Sequence, residues 1–262
     1  MRLRGGRTYT PPVFTGAQGV SPIVTVSVVS HRQARMVAQL LGDLRACTTA
    51  LEIVVTVNVP EADGFRAASG ARPVRIVRND AVKGFGANHN AAFRASHGEF
   101  FCVVNPDLRL RSDPFPRLLQ CLRGDTLGVV APRVESPSGQ LEHSARQFPT
   151  PLSILAKALG ARDAPPPVAQ GLSHPDWLAG MFMLFPREAF GRVGGFDESY
   201  FLYYEDVDIC ARLRKLGYQI GYCADATVVH DARRTSHRDA RYLRWHLASM
   251  ARFFWRRALG RL

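Results

Sequence analysis

The sequence predicts an α/β protein built on a mostly parallel sheet flanked by helices. Two observations predict it. Short β-branched or aromatic apolar runs recur at residues 23–29, 52–57, 74–77 and 99–104, as expected of strands buried on both faces. Between them, residues 34–44 and 86–96 carry apolar side chains at helical spacing, and this alternation is the signature of parallel strands joined by crossover helices. The 262 residues, 46% hydrophobic and 21% charged, are ample for a core.

Each element has its own punctuation. The first helix carries Met36, Val37, Leu40, Leu41 and Leu44 on one face, and Gly98 ends the second. Beyond Asp107 the pattern changes. Residues 113–122 read as a helix, and 127–131 and 141–146 as strands flanking a turn at Ser136-Pro137-Ser138-Gly139. Residues 147–176, with Pro165-Pro166-Pro167, read as a mobile insertion. Residues 177–185 are strand-like and broken at Gly180, 206–216 helical, 218–222 a strand, and 241–262 a basic amphipathic helix. The expected organisation is a basic arm over 1–21, one domain over 22–236 with halves at about 22–112 and 113–236, and a C-terminal helix over 237–262.

Lysine and arginine total 34 against 22 acids, a net charge of +12. Such a surface attracts anions, whether nucleotide diphosphates, acidic lipids or nucleic acid; without a nucleic-acid-binding motif the last is disfavoured. No apolar run reaches the roughly 18 residues of a membrane span. The N-terminus Met1-Arg2-Leu3-Arg4 is basic without a following apolar segment, so a cytoplasmic location is expected. Five scattered cysteines with no CxxC spacing read as reduced core thiols.

Two acidic motifs carry the chemistry. Asn105-Pro106-Asp107 follows the run Phe100-Phe101-Cys102-Val103-Val104. In a parallel sheet, ligands bind beyond the carboxyl ends of the strands, so Asp107 is placed to hold a hard cation over a diphosphate; the bland alternative is an ordinary turn. Lys83-Gly84-Phe85-Gly86-Ala87-Asn88-His89-Asn90 joins a strand to a helix. Its glycines allow close backbone approach, and a helix N-terminus favours anions. It is neither a dinucleotide fingerprint nor a P-loop.

The second motif, Glu205-Asp206-Val207-Asp208, follows Gly194-Gly195-Phe196-Asp197-Glu198 and the aromatic run Tyr200-Phe201-Leu202-Tyr203-Tyr204. Acids at a helix N-terminus and Arg212, Arg214 and Lys215 near its end suit the helix dipole, and Asp208 can pair with Arg212 at i,i+4. Three acids exceed what a cap requires. Asp206 and Glu205 are therefore the catalytic candidates, Asp206 as general base. His230, after Val228-Val229, is a candidate metal ligand.

In combination and order these pieces, with the opening strand Val24-Thr25-Val26-Ser27-Val28-Val29-Ser30, resemble a family 2 inverting glycosyltransferase of the GT-A fold, in its rhamnosyltransferase-like branch, over roughly residues 23–235. The resemblance implies a nucleotide-binding sheet with a smaller acceptor-side subregion and a Mg²⁺ or Mn²⁺ ion on Asp107 with His230 assisting. It also implies Asp206 as the base. Ser30, Asn58, Asn79, Asp80, Lys83, Gly84, Phe85, Asn88 and Asn105 are expected around the nucleotide sugar, and Trp177, Gly180 and Tyr204 around the acceptor. The donor it implies is dTDP-rhamnose, the acceptor a glycan or lipid-linked sugar of a cell-envelope polysaccharide. The sequence departs from the pattern at Val57-Asn58, where family members carry Asp-Asn and the Asp reads the base; Asp80, Asp63 or backbone groups are the replacements. The C-terminal helix, mixing Trp and Leu with Arg, suits either packing on the domain or an anionic membrane surface.

Two rival readings are weaker. A sugar-phosphate nucleotidyltransferase would want a Gly-rich basic loop after the first strand, where Ser30-His31-Arg32-Gln33 stands. A non-catalytic anion- or nucleic-acid-binding protein fits the charge but leaves the acidic motifs unexplained.

Overall fold

The structure is a computed structural model that describes residues 23–62, 64, 65, 68, 70, 74–124, 126–160, 170–231 and 240–262. The expected N-terminal arm, Asp63 and Pro165-Pro166-Pro167 lie outside the described residues.

The elements run β1 (Val24–Ser30), α1 (Ala34–Ala46), β2 (Leu51–Val57), β3 (Val74–Arg78), α2 (Phe85–Arg94), β4 (Phe100–Val104), β5 (Leu108–Arg109), α3 (Phe115–Cys121), β6 (Leu127–Glu135) and β7 (Ala145–Arg146). They continue with α4 (Pro151–Ala158), β8 (Leu172–Ser173), β9 (Trp177–Leu178), β10 (Phe182–Pro186), α5 (Arg187–Arg192), α6 (Glu205–Lys215), β11 (Gln219–His230) and α7 (Ala240–Ala258). The main sheet has the order β3-β2-β1-β4-β10-β6-β11-β5, with β8 paired to β11. β1 runs parallel to β2 and β4, and β2 to β3. β10 runs antiparallel to both β4 and β6, and β11 parallel to β6.

The apolar runs explain the centre of this order. Every residue of β2 is buried, and β1 and β4 nearly so, because helices cover both faces. Two apolar layers result. One holds Val26, Val28, Leu40, Leu41, Ile53 and Val104, the other Phe101, Val103, Phe185, Phe190, Phe196 and Leu213.

Several expectations change in detail. The strand expected over 141–146 is an isolated bridge between Glu135 and Leu141 plus the two-residue β7, which pairs with β9. The stretch expected as a mobile insertion contains the helix α4 among its described residues. The strand read over 218–222 and the run ending at His230 are one strand, β11, with a register shift between Cys223 and Thr227.

The topology gathers one rim. The carboxyl ends of β1, β2, β3, β4, β6 and β11 share it with the amino end of antiparallel β10, since Phe182 pairs with Val104. α7 packs against the aromatic run before α6. Phe253 is buried beside Tyr204, their rings 5.6 Å apart, and the Ser249 hydroxyl donates to the Leu202 carbonyl at 2.9 Å.

Candidate active site

Asp107 reaches the rim because Pro106 ends β4 and the chain turns back as β5, which pairs antiparallel with the last residues of β11. In that register His230 lies opposite Leu108, and the Asp231 N–H donates to the Asp107 carbonyl at 2.9 Å. The His230 ring is thereby set between two carboxylates. Nε2 lies 3.2 Å from Asp107 Oδ2, and Nδ1 lies 2.7 Å from Glu142 Oε2. Burial alone would lower the pKa of this imidazole, but the two acids outweigh it and raise it to about 9. Asp107 Oδ1 is buried and has no hydrogen-bond partner. A carboxylate with one oxygen unpartnered and an imidazole nitrogen beside the other is a donor set that fits a divalent cation such as Mg²⁺ or Mn²⁺. Among the described residues no group of three or more acids, histidines or cysteines forms a metal cluster, so two protein ligands would leave most of the coordination shell to substrate oxygens.

The second acidic motif meets the first through the entry to β10. The Asn105 N–H donates to the Met181 carbonyl at 2.8 Å, and the neighbouring Gly180 N–H donates to Asp206 Oδ2 at 3.0 Å. Asp206 Oδ1 accepts from the Val207 N–H at 2.9 Å. Burial pushes the Asp206 carboxyl up, while these amides and the nearby Arg146 charge pull it back in part. Glu205 is pushed well above the usual carboxylate range by burial and by Asp206 beside it, and its Oε2 has no partner. Tyr203 and Tyr204, immediately before these acids, have φ of 70° and 66°. Two successive non-glycine residues in the left-handed region store strain of the kind that accumulates at functional sites. Asp208 is different in kind. It is fully buried, and Arg212 Nε donates to its Oδ2 at 2.6 Å.

The Lys83 loop is held by an asparagine network. Asn58 Oδ1 accepts from the Lys83 N–H at 2.9 Å and from Asn79 Nδ2 at 2.9 Å. Asn58 Nδ2 donates to the Lys83 carbonyl at 3.0 Å, and Asn88 Nδ2 to the Gly84 carbonyl at 3.0 Å. The side chains of Asn58, Asn79 and Asn88 are thus engaged with one another and with the loop. A Cβ on Gly84 would stand 2.6 Å from the Phe201 carbonyl oxygen, and one on Gly86 2.7 Å from Phe196 Cβ. The close approach these glycines allow is to the segment before α6. His89, in the same motif, is a buried neutral histidine: burial lowers it to about 3, and Nδ1 lies 2.8 Å from Ser27 Oγ. Lys83 and Asp80 remain exposed at the rim, and Ser30 is buried, its hydroxyl accepting weakly from the Gln33 N–H at 3.4 Å.

On the other side of Asp206, Phe85 approaches Gly180, where a Cβ would lie 3.3 Å from the ring edge. Trp177 pairs with Arg146 across β7 and β9, with the guanidinium 5.4 Å from the ring centre. The buried Tyr204 ring faces His246 and Phe253 of α7.

Glu142 and Arg146 were absent from the candidates drawn from sequence. Both lie between β6 and β9, in a segment whose strand signal is weak and whose partners are distant in sequence. The strands expected over 127–131 and 141–146, flanking the turn Ser136–Gly139, show that the chain folds back there, but not which side chains it delivers to the rim.

The glycosyltransferase-like family 2 model matches residues 21–248. Rhamnosyltransferase WbbL of Escherichia coli (strain K12) is 28% identical over 258 residues, covering 90% of this chain and 94% of the relative. An N-acetylglucosaminyl-diphospho-decaprenol L-rhamnosyltransferase of Mycobacterium tuberculosis is 28% identical over 245 residues, covering 84% and 80%. The solved mannosyltransferase PcManGT of Pyrobaculum calidifontis, in complex with GDP-Man and Mn²⁺, superposes with a TM-score of 0.60 at 20% identity. That superposition covers 89% of this chain but 65% of the solved one, and the likeness is one of fold: the sheet is that of the GT-A glycosyltransferases. With the family model spanning most of its length, the chain belongs to the family 2 glycosyltransferases.

Proposed function

We propose that this protein is an inverting transferase that moves L-rhamnose from dTDP-rhamnose to a glycan or lipid-linked acceptor in cell-envelope polysaccharide synthesis. The observation that carries the inverting mechanism is the junction of the two acidic motifs at the entry to β10, through Asn105–Met181 and Gly180–Asp206. The two rhamnosyltransferase relatives support the choice of sugar. Asp206 takes the proton from the acceptor hydroxyl as that oxygen bonds the anomeric carbon and the bond to the nucleoside diphosphate breaks. Its amide partners fix the carboxylate's direction, and burial raises its basicity. Glu205 lies beside it, its carboxyl pushed up by burial and by Asp206. Asp107 and His230 would hold Mg²⁺ or Mn²⁺, whose charge offsets that of the leaving diphosphate. Exposed Lys83 and Asp80 contact the nucleotide, and Trp177 and Gly180 border the acceptor. The nucleotide half is about 22–112 and the acceptor half about 113–236. Screening nucleotide sugars for thermal stabilisation with Mn²⁺, followed by assay of nucleoside diphosphate release, tests the reading. Stabilisation by dTDP-rhamnose above UDP- and GDP-sugars is expected; preference for another donor removes the rhamnose assignment. Release of pyrophosphate from a nucleoside triphosphate and a sugar phosphate would favour a nucleotidyltransferase instead.

The protein acts at the cytoplasmic membrane surface in this reading. No helix among the described residues is long and apolar enough to cross a membrane. α7 turns Phe253 and Ser249 inward but leaves Leu243, Leu247, Trp255 and, just past its end, Leu259 exposed, with Arg244 and Arg252 interspersed. That outer face suits an anionic bilayer. Flotation with anionic liposomes should be lost when the four exposed residues become Ser; unchanged flotation removes the surface. Substitution is the cleaner test than deletion, because deleting α7 uncovers Tyr204.

A further inference from the structure

We infer that Glu142 is a positioning residue for the metal site, acting through His230; the inference rests on the metal reading of Asp107 and His230. Three observations carry it. Glu142 Oε2 lies 2.7 Å from His230 Nδ1, closer than the 3.2 Å between His230 Nε2 and Asp107 Oδ2. The two contacts use different ring nitrogens, so through Nδ1 Glu142 acts on Nε2 by holding the imidazole. The backbone is folded to bring this acid there. After β6 the chain reverses at Ser136–Gly139, where Gly139 has φ +80° and its N–H donates to the Ser136 carbonyl at 2.9 Å. The returning arm bridges at Leu141, and the Glu142 N–H donates to the Val134 carbonyl at 2.8 Å. β6 and β11 run parallel there, Glu135 beside Val229, so the arm arrives next to His230.

An acid on Nδ1 does two things for a ligating histidine. It holds the proton on Nδ1, so that the proton a binding cation displaces is the one on Nε2, and it stops rotation of the ring. Both matter at His230, the last residue of its strand. Asp107 Oδ1, buried without a partner, marks the side on which a cation would complete the set.

The experiment uses the full chain and Mn²⁺ alone, followed by the electron paramagnetic resonance signal of free Mn²⁺ and by the shift in melting temperature that saturating Mn²⁺ produces. Glu142→Ala is expected to weaken Mn²⁺ binding about 10–100-fold. Glu142→Gln, which keeps an acceptor for Nδ1–H, should stay within a few-fold of wild type, and Glu142→Leu should behave as Ala should that variant not fold. Asp107→Asn is the reference for loss of the ion. If Glu142→Ala or Glu142→Leu lowers the metal-free melting temperature but leaves Mn²⁺ affinity unchanged, Glu142 is a structural salt-bridge partner and the inference is overturned. Gln binding as weakly as Leu overturns the hydrogen-bond account. Absence of Mn²⁺ binding in the wild type removes the metal reading itself, and the inference with it.

Discussion

The backbone N–H of Gly180 donates to Asp206 Oδ2 at 3.0 Å. A residue at the mouth of an antiparallel strand thus aims the carboxylate at the head of a helix 26 positions later. The position also tolerates little bulk, since a Cβ there would stand 3.3 Å from Phe85 Cζ and 3.6 Å from Asp206 Cβ. Gly180→Ala is expected to fold, to push Phe85 and Asp206 apart by a few tenths of an ångström, and to lower kcat by roughly 10–100-fold, since small misplacements of a reacting group are costly. Steady-state kinetics alongside a thermal melt measures both halves of this expectation.

Asp206→Asn keeps the shape and loses the base. Turnover should fall by about 10²–10⁴-fold, the usual contribution of a positioned base, while stabilisation by the donor nucleotide persists. The pH profile is a second measure. Burial raises the Asp206 pKa, and the base works only when ionised, so kcat/KM should fall with decreasing pH already above the roughly 3.9 of an ordinary aspartate. An acidic limb at or below that value would remove Asp206 from the role.

Glu205 predicts a slope in stability. Its pKa is raised in the folded state by burial and by Asp206, whereas the unfolded chain ionises near 4.3. Below that pH the proton is bound in both states and no stability is lost. As pH rises toward the folded pKa, the unfolded state sheds the proton first and stability falls. Glu205→Gln cannot titrate, so the gap between its melting temperature and that of the wild type should move in favour of the variant from pH 4 to pH 8. Parallel curves would refute this.

Much of the sheet was legible because its central strands bury both faces, and Val26, Val28, Ile53 and Val55 announce that directly. Asp107 and Asp206 were legible because chain punctuation places them, a proline at one strand end and a helix start after aromatics. What stayed hidden depends on contacts across long separations. β11 reads as two pieces because Ala224-Asp225-Ala226, at its register shift, are residues of low strand propensity. Glu142 and His230 are 88 residues apart, and nothing local marks their meeting. Gly84 and Gly86 look like an anion cradle in isolation, yet the atoms that crowd them belong to Phe201 and Phe196. Asn58, where an aspartate was expected one position earlier, has its amide engaged by the Lys83 loop.

Asp208 separates structure from chemistry within the second motif. Its side chain is fully buried, Arg212 lies 2.6 Å away, Arg256 3.7 Å, and the Tyr200 hydroxyl donates at 3.4 Å. Burial still pushes its pKa up in spite of Arg212, so the pair sits in a costly environment and depends on staying intact. Asp208→Ala leaves the mostly buried Arg212 guanidinium without its partner, which costs about 3–5 kcal/mol when one side of a buried pair is removed. The double variant Asp208→Leu with Arg212→Leu removes both charges and should recover a good part of that loss. Because Arg256 joins Asp208 from α7, the single variant should also loosen the C-terminal helix, seen as faster amide exchange at Ser249 and Phe253. Turnover per folded molecule should stay within a few-fold of wild type for the double variant, unlike Asp206→Asn. A double variant that folds well yet loses turnover as Asp206→Asn does would move Asp208 into the catalytic set.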